Sequence, residues 1–342
     1  MNSIKNILKS DKYFLFFGSI FIGLLSSILI FGKDFYQLTT SVPGIYYGDG
    51  IAFLINLQRA YEGAWVFTND RMGFPWISDF TETPQSDLLN YLIIKIFTHL
   101  TGSLIFSINI YFILGFIVIF ITNYLLLRAL KISSLSAFIG SICYALIAYH
   151  FLRLSHMFFT WYFVGPAYIY IYYKIINFDL SNKIFIKANL KYFIYLFLLP
   201  FFGGYYTLFS LFGFVFCFLI IYIKSRKFLL LATCLTTIVV SLVVNILPTI
   251  YYIYKNGYNY ENLNRLPMES ELYSFKISQL FIPAGYHILD KFRELSDFFY
   301  LQSAYANENA TASLGILTCI GLIISISNLL SNVLNRKKNN SA

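Results

Sequence analysis

Polar and apolar positions in this chain fall in long blocks rather than short periods. Apolar runs recur near the ~20 residues needed to cross a ~30 Å hydrocarbon layer, which predicts an all-α polytopic membrane protein with about eight transmembrane helices. The first run, residues 13–31, follows Lys5, Lys9 and Lys12. It is longer than a signal-peptide core and lacks a small-residue cleavage site, so it reads as an uncleaved span entering from the cytoplasm. Further spans are predicted at about 104–127, 135–149, 158–176, 228–251 and 311–334. The run 192–223 is too long for one helix. Pro200 and the Gly203-Gly204 pair interrupt it, predicting two spans joined by a tight outer turn.

Two segments of about 55 residues, 33–87 and 254–309, break the apolar pattern. In this topology both lie outside, with both termini cytoplasmic. From Asp49 to Ala60 the apolar residues Ile51, Leu54, Ile55 and Leu57 mark one helical face. That stretch is too short to span, so an interfacial helix is expected. Residues 88–97 read similarly. Loops this long are usually functional or disordered. The Gly, Pro and aromatic residues, with an apolar stretch at 277–283, count against disorder.

Composition narrows the class. With 58% hydrophobic and 12% charged residues and a mean hydropathy of +0.66, the chain is not a soluble domain, and residues 1–342 are expected to form one transmembrane domain. The net charge of +9 reflects basic residues retained on inner loops, where the drawn topology places 15 of the 25 Lys and Arg, and carries no nucleic-acid role. Acidic residues are more lopsided: only Asp11 and Asp179 fall inside, and 14 of 16 lie in the two outer segments. The four cysteines sit within apolar runs without a C-x-x-C spacing and read as packing residues.

Candidate chemistry therefore gathers in the outer segments. Asp49 lies between Gly48 and Gly50 ahead of the interfacial helix. An Asp there is expected to cap the helix, while its ionised carboxylate is also held ready for chemistry. Arg71, in the turn NDRMGFP, can bind a phosphate through two hydrogen bonds or pair with Asp70 or Asp79. Asp79 and Asp87 read either as turn and cap residues or as contacts to substrate hydroxyls. Lys276 and His287 lie in the second segment; His287 is a proton carrier, a phosphate contact or a structural hydrogen-bonder. Asn307 and Glu308, at the mouth of the last helix, either cap it or floor a polar pocket. No metal-ligand spacing, phosphate loop or nucleophile elbow is present. No cofactor is called for, and a divalent cation is left open without a sequence signal.

G-D-G, then G-x-W-x-x-x-N-x-R-x-G-x-P, then D-F and a later Asp, followed by YSFKISQLFIPAGYH and NENATASLG, resemble the GT-C superfamily of membrane glycosyltransferases, near bacterial polytopic proteins labelled sugar translocases or glycosyltransferases. The resemblance covers roughly residues 10–335. It implies transfer of a sugar from a polyprenyl-phosphate carrier to a glycan, lipid or protein acceptor on the outer face of a bacterial cytoplasmic membrane. The residue matching the family's base is Asp49, and Arg71, Lys276 and Arg153 are the basic residues set to stabilise the departing phosphate. Many GT-C proteins continue into further helices or an outer soluble domain; this sequence ends in a basic tail. The alternative is a translocase that moves lipid-linked sugars without chemistry, which predicts ionisable residues deep in the spans and repeat symmetry. The predicted spans hold Asn109, Asn123 and Asn245 but no central carboxylate.

Overall fold

The computed structural model describes residues 7–46, 48–63, 65–82, 84, 87–177, 187–224, 228–258, 266–274, 276–302 and 312–339. Among them the chain is helical apart from one two-stranded hairpin. Among the described residues, four stretches are long and apolar enough to cross a membrane: Lys12–Phe31, Leu104–Ala129, Ser134–Leu152 and Cys234–Asn256. The chain divides into two compact units, one of Met1–Leu146 with Arg153–Tyr260, the other of Ile147–Leu152 with Glu261–Ala342.

The first unit begins with α1 (Lys12–Phe31), a short α2 (Gln37–Thr40) and α3 (Asp49–Glu62). The hairpin strands β1 (Thr68–Asn69) and β2 (Ser78–Asp79) then pair Thr68 with Asp79 and Asn69 with Ser78. Next come α4 (Leu88–Thr101), α5 (Leu104–Ala129) and α6 (Ser134–Ala145). Helix α5 is the hub. Apolar nearly all round, as expected of an enclosed helix, it packs against α1, α2, α4 and α6. Its start is set by Ser103, whose Oγ accepts the Phe106 N–H at 3.2 Å, a side-chain N-cap.

Polar side chains on α5 are spent on structure. Asn109 donates to the carbonyls of Leu38 and Ser41 at 3.0 and 2.8 Å, fastening the end of α2 to the hub. Asn123 reaches Ser141 Oγ at 3.4 Å. At the other end, Arg128 Nε donates to Asp11 Oδ2 at 2.5 Å, and Tyr124 donates to the same oxygen at 3.1 Å. Charge patterning assigned Asp11 and Arg128 to one side of the membrane, and here they meet.

The predicted span starting at 158 takes a different form. Leu154–Thr160 is a 3-10 helix, and the α-helical part of that region, Val164–Asn177, has 14 residues. His156, at φ −121° and ψ 56°, interrupts the helical path, and Trp161, Phe158 and Tyr162 turn inward to be buried. The ladder restarts only beyond them, with Pro166 in its first turn, where a missing N–H is tolerated. Lys187–Leu198, Gly204–Lys224 and Phe228–Asn256 complete the unit. They pack with Val164–Asn177 around a core of Val164, Tyr168, Leu196, Phe214, Cys217 and Ile238. Pro200 falls in the 3-10 turn Leu199–Phe201, at the break expected from sequence. Cys217 and Cys234 are buried free thiols.

The second unit contains Ala148–Leu152, Pro267–Leu272, the 3-10 turn Ile277–Leu280, Asp290–Gln302 and Ile316–Asn339. Its last helix is tied to the 3-10 turn through the Leu280 carbonyl. That oxygen accepts the Leu314 N–H at 3.0 Å and lies 3.3 Å from Cys319 Sγ. The helix in the region of the predicted last span begins at Ile316, and its apolar part, Ile316–Asn332, is shorter than the four membrane-length stretches.

Burial alone raises the Asp11 carboxyl, but hydrogen bonds from Arg128, Ser10 and Tyr124 and the Arg128 charge hold it below its ordinary value of 3.8. A depressed carboxyl contributes stability above its unfolded pKa and loses it as pH falls through the folded one. Asp11→Asn is expected to cost on the order of 2–3 kcal/mol. Thermal unfolding in detergent should show wild type and variant converging in acid; a gap that persists well below the carboxylate range would contradict this account.

Candidate functional site

The turn that delivers Asp49 depends on its flanking glycines. Gly48 has φ 50° and ψ −132°, a conformation that side chains resist. At Gly50 a Cβ would sit 2.1 Å from the Ile45 carbonyl oxygen. The expectation that Asp49 caps α3 is corrected here: Gly48 holds the capping position, Asp49 is already the first helical residue, and no side-chain cap bond forms. Because the reversal is completed at Gly48, the Asp49 carboxylate is released from the helix end. Its Oδ2 lies 3.4 Å from His156 Nε2, with the Asp49 side chain 72% exposed and His156 27% exposed. In the first turn of α3 the carboxylate also faces the positive end of the helix dipole.

His156 comes from the 3-10 segment. Its ring stacks on Phe159 at 5.5 Å and 21°, and its N–H donates to the Arg153 carbonyl at 3.1 Å. Between these, Phe158 meets the rings of Phe53 at 4.8 Å, Tyr91 at 4.7 Å and Tyr111 at 6.0 Å, all edge-on. Three helices therefore fix the segment carrying His156. Trp161 stacks on Tyr111 at 4.3 Å and donates to the Tyr111 carbonyl at 3.2 Å.

Further along α3, Arg59 is fully buried. The Phe80 ring centre lies 3.7 Å from its guanidinium carbon, and among the described residues Nε, Nη1 and Nη2 have no hydrogen-bond partner. Burial draws Arg59 below its ordinary pKa, while Tyr91 and Asp79 oppose that. The group remains charged. Phe80 is set over Arg59 by the hairpin, where the Phe80 N–H donates to the Phe67 carbonyl at 2.8 Å.

The other sequence candidates occupy separate places. Arg71 pairs with Glu62 at 3.3 Å, correcting the expected partners Asp70 and Asp79, because β1 lies back beside the end of α3. Asp79 Oδ1 accepts from the N–H and hydroxyl of Thr81 at 2.9 and 2.6 Å, a local turn lock. Asp87 stands at the N-cap of α4 without a side-chain bond to it; after burial, its charge is the next cause raising the Tyr91 hydroxyl. Arg153 begins the His156 segment.

Lys276 and His287 belong to the second unit. The Lys276 N–H donates to Gln279 Oε1 at 2.8 Å. His287 Nδ1 accepts the Leu289 N–H at 3.1 Å, and its ring meets Phe292 edge-on at 4.8 Å. Asn307 and Glu308 lie outside the described residues. Among the described residues, no three His, Cys, Asp or Glu side chains converge to hold a metal ion.

The arrangement brings one sequence candidate, Asp49, together with His156, a histidine that was not among the sequence candidates. No family model, no curated protein and no solved structure matches the chain. Chemically, the pair is an exposed carboxylate oriented by an imidazole, able to take a proton from a hydroxyl brought to its open side.

Arg59 carries a desolvation cost that no hydrogen bond offsets. Arg59→Met keeps the length and the contact with Phe80, and is expected to leave stability unchanged or raise it by about 1–2 kcal/mol. Arg59→Ala also opens a cavity and should lower it. Melting temperatures of the two variants test this; a large loss in the Met variant would mean that the charge itself holds α3 to the hairpin.

Proposed function

We propose that the chain is a membrane glycosyltransferase of GT-C type that moves a sugar from a polyprenyl-phosphate carrier to an acceptor hydroxyl, with Asp49 as general base. The observation that carries this reading is the Asp49–His156 pair, formed at the open start of a short amphipathic helix in a chain with several membrane-length helices. The acceptor, a glycan, lipid or protein, presents its hydroxyl to Asp49. As the hydroxyl oxygen attacks the anomeric carbon, its proton passes to Asp49. The sugar–phosphate bond breaks on the opposite face, its electron pair leaves with the polyprenyl phosphate, and the anomeric configuration inverts. His156 is a positioning residue that holds the carboxylate toward the incoming hydroxyl.

In this reading the site faces outward from a bacterial cytoplasmic membrane, the chain crosses about eight times, and both termini are cytoplasmic. The use of Asn109 and Asn123 to hold neighbouring segments supports chemistry at the surface over passage through the bundle. Asp79 and Asp87 stay as candidate contacts to sugar hydroxyls, and Arg71, Arg153 and Lys276 as candidate contacts to the departing phosphate. His287, Asn307 and Glu308 remain candidate substrate contacts.

Transfer of labelled sugar from membrane-derived lipid donors by purified protein tests the assignment. Asp49→Asn is expected to slow transfer by ~10²–10⁴-fold without loss of helical content. Gly50→Ala, which forces the turn at Ile45 to move, should cost on the order of 100-fold through misplacement. Equal transfer by wild type and Asp49→Asn sinks the catalytic role. Lipid movement without any transfer would favour the translocase.

A further inference from the structure

The hairpin between α3 and α4 ends in an apolar tip that covers nothing. Phe74 is 98% exposed, Trp76 78% and Ile77 62%, and Pro75 lies between them on the surface. We propose that this tip is a membrane-interface anchor, seated among the headgroups and upper acyl chains of the bilayer that the long apolar helices of this chain enter.

Three observations favour lipid over a protein partner. The first is backbone chemistry. Lipid penalises free N–H and C=O groups, and part of the tip's backbone is bonded internally: Met72 N–H to the Asn69 carbonyl at 3.3 Å, Trp76 N–H to the Gly73 carbonyl at 2.8 Å and Ser78 N–H to the Met72 carbonyl at 2.8 Å. Pro75 has no N–H to satisfy. The Arg71 N–H at the base is taken by Asn69 Oδ1 at 2.8 Å. The second is side-chain type. Trp and Phe beside an exposed Arg71 match the amphipathic residues that settle at headgroup level, where rings sit in the boundary and a guanidinium stays wet.

The third is attachment. The hairpin lies in the chain between α3 and α4, and both helices present exposed apolar residues of their own, Ile51 and Ile55 on α3, Leu92, Ile96 and Leu100 on α4. Helix α4 packs along α5, a membrane-length helix. The apolar tip is thus flanked in the chain by helices with exposed apolar residues, one of which packs beside a candidate span.

The full chain, reconstituted in mixed phosphatidylcholine and phosphatidylglycerol vesicles, allows a direct test. Subtracting the fluorescence of Trp76→Phe from that of wild type isolates Trp76 from Trp65 and Trp161, and the exposed position makes the variant benign to folding. Bromine placed near the glycerol end of the acyl chains is expected to quench the Trp76 signal, while aqueous iodide leaves it. Quenching by iodide with none by brominated lipid would mean that the tip stands in water and would overturn the proposal. Resistance to both quenchers would overturn it too, by showing the tip covered by a second copy or another protein.

Discussion

Phe158 is the contact on which the candidate site depends. Its ring is buried edge-on against Phe53, Tyr91 and Tyr111, so one side chain joins α3, α4 and α5 to the 3-10 segment. Edge-to-face pairs contribute roughly 0.5–1.5 kcal/mol each beyond the area they bury, and here three share one ring. The consequence is geometric as much as energetic. Phe158 lies two residues from His156, and Phe53 one helical turn from Asp49, so the same aromatic cluster locates both members of the pair. Neither the carboxylate nor the imidazole needs a deep pocket of its own, because the precision is supplied from beneath.

Polar groups in the first unit divide into two kinds. Asn109, Asn123, Asp11 and Arg128 are bonded, as an apolar surrounding demands. Arg59 is not. Its contact with Phe80 recovers part of the lost hydration through the ring face, but its N–H groups stay unmatched. Its place on α3, the helix that starts at Asp49, ties the two features to one element.

Much of the helix content was legible from sequence because membrane-length apolar blocks leave few alternatives. The run ending at Phe31, the break at Pro200 and the short helix from Asp49 appear as read. What could not be read was the 3-10 segment at Leu154–Thr160. Its apolar residues merge with the following run, and only tertiary packing of Phe158 and Trp161 separates them. Asp49 stood out through its glycines, yet the same glycines disguised its role: capping propensity favoured the Asp, whereas the positive φ of Gly48 moved the cap back one residue. His156 carried no local signal, since its partner lies in a distant part of the chain. Arg59 was hidden for the opposite reason. On an amphipathic helix a basic residue near the last turn is ordinary, and nothing nearby announces that the hairpin folds over it.

The bond from Asn109 to the end of α2 bears on how freely Asp49 can move. A chain fixed only at Phe31 and Asp49 would be a long tether, with a conformational freedom that grows with its length. By holding the Leu38 and Ser41 carbonyls, Asn109 leaves only the stretch of seven sequence positions 42–48 between that bond and Asp49. Ile45, buried within it, and the close approach at Gly50 shorten it again. The carboxylate is thus leashed to the first turns of the hub helix by an amide, and held by that leash as well as by the helix it begins.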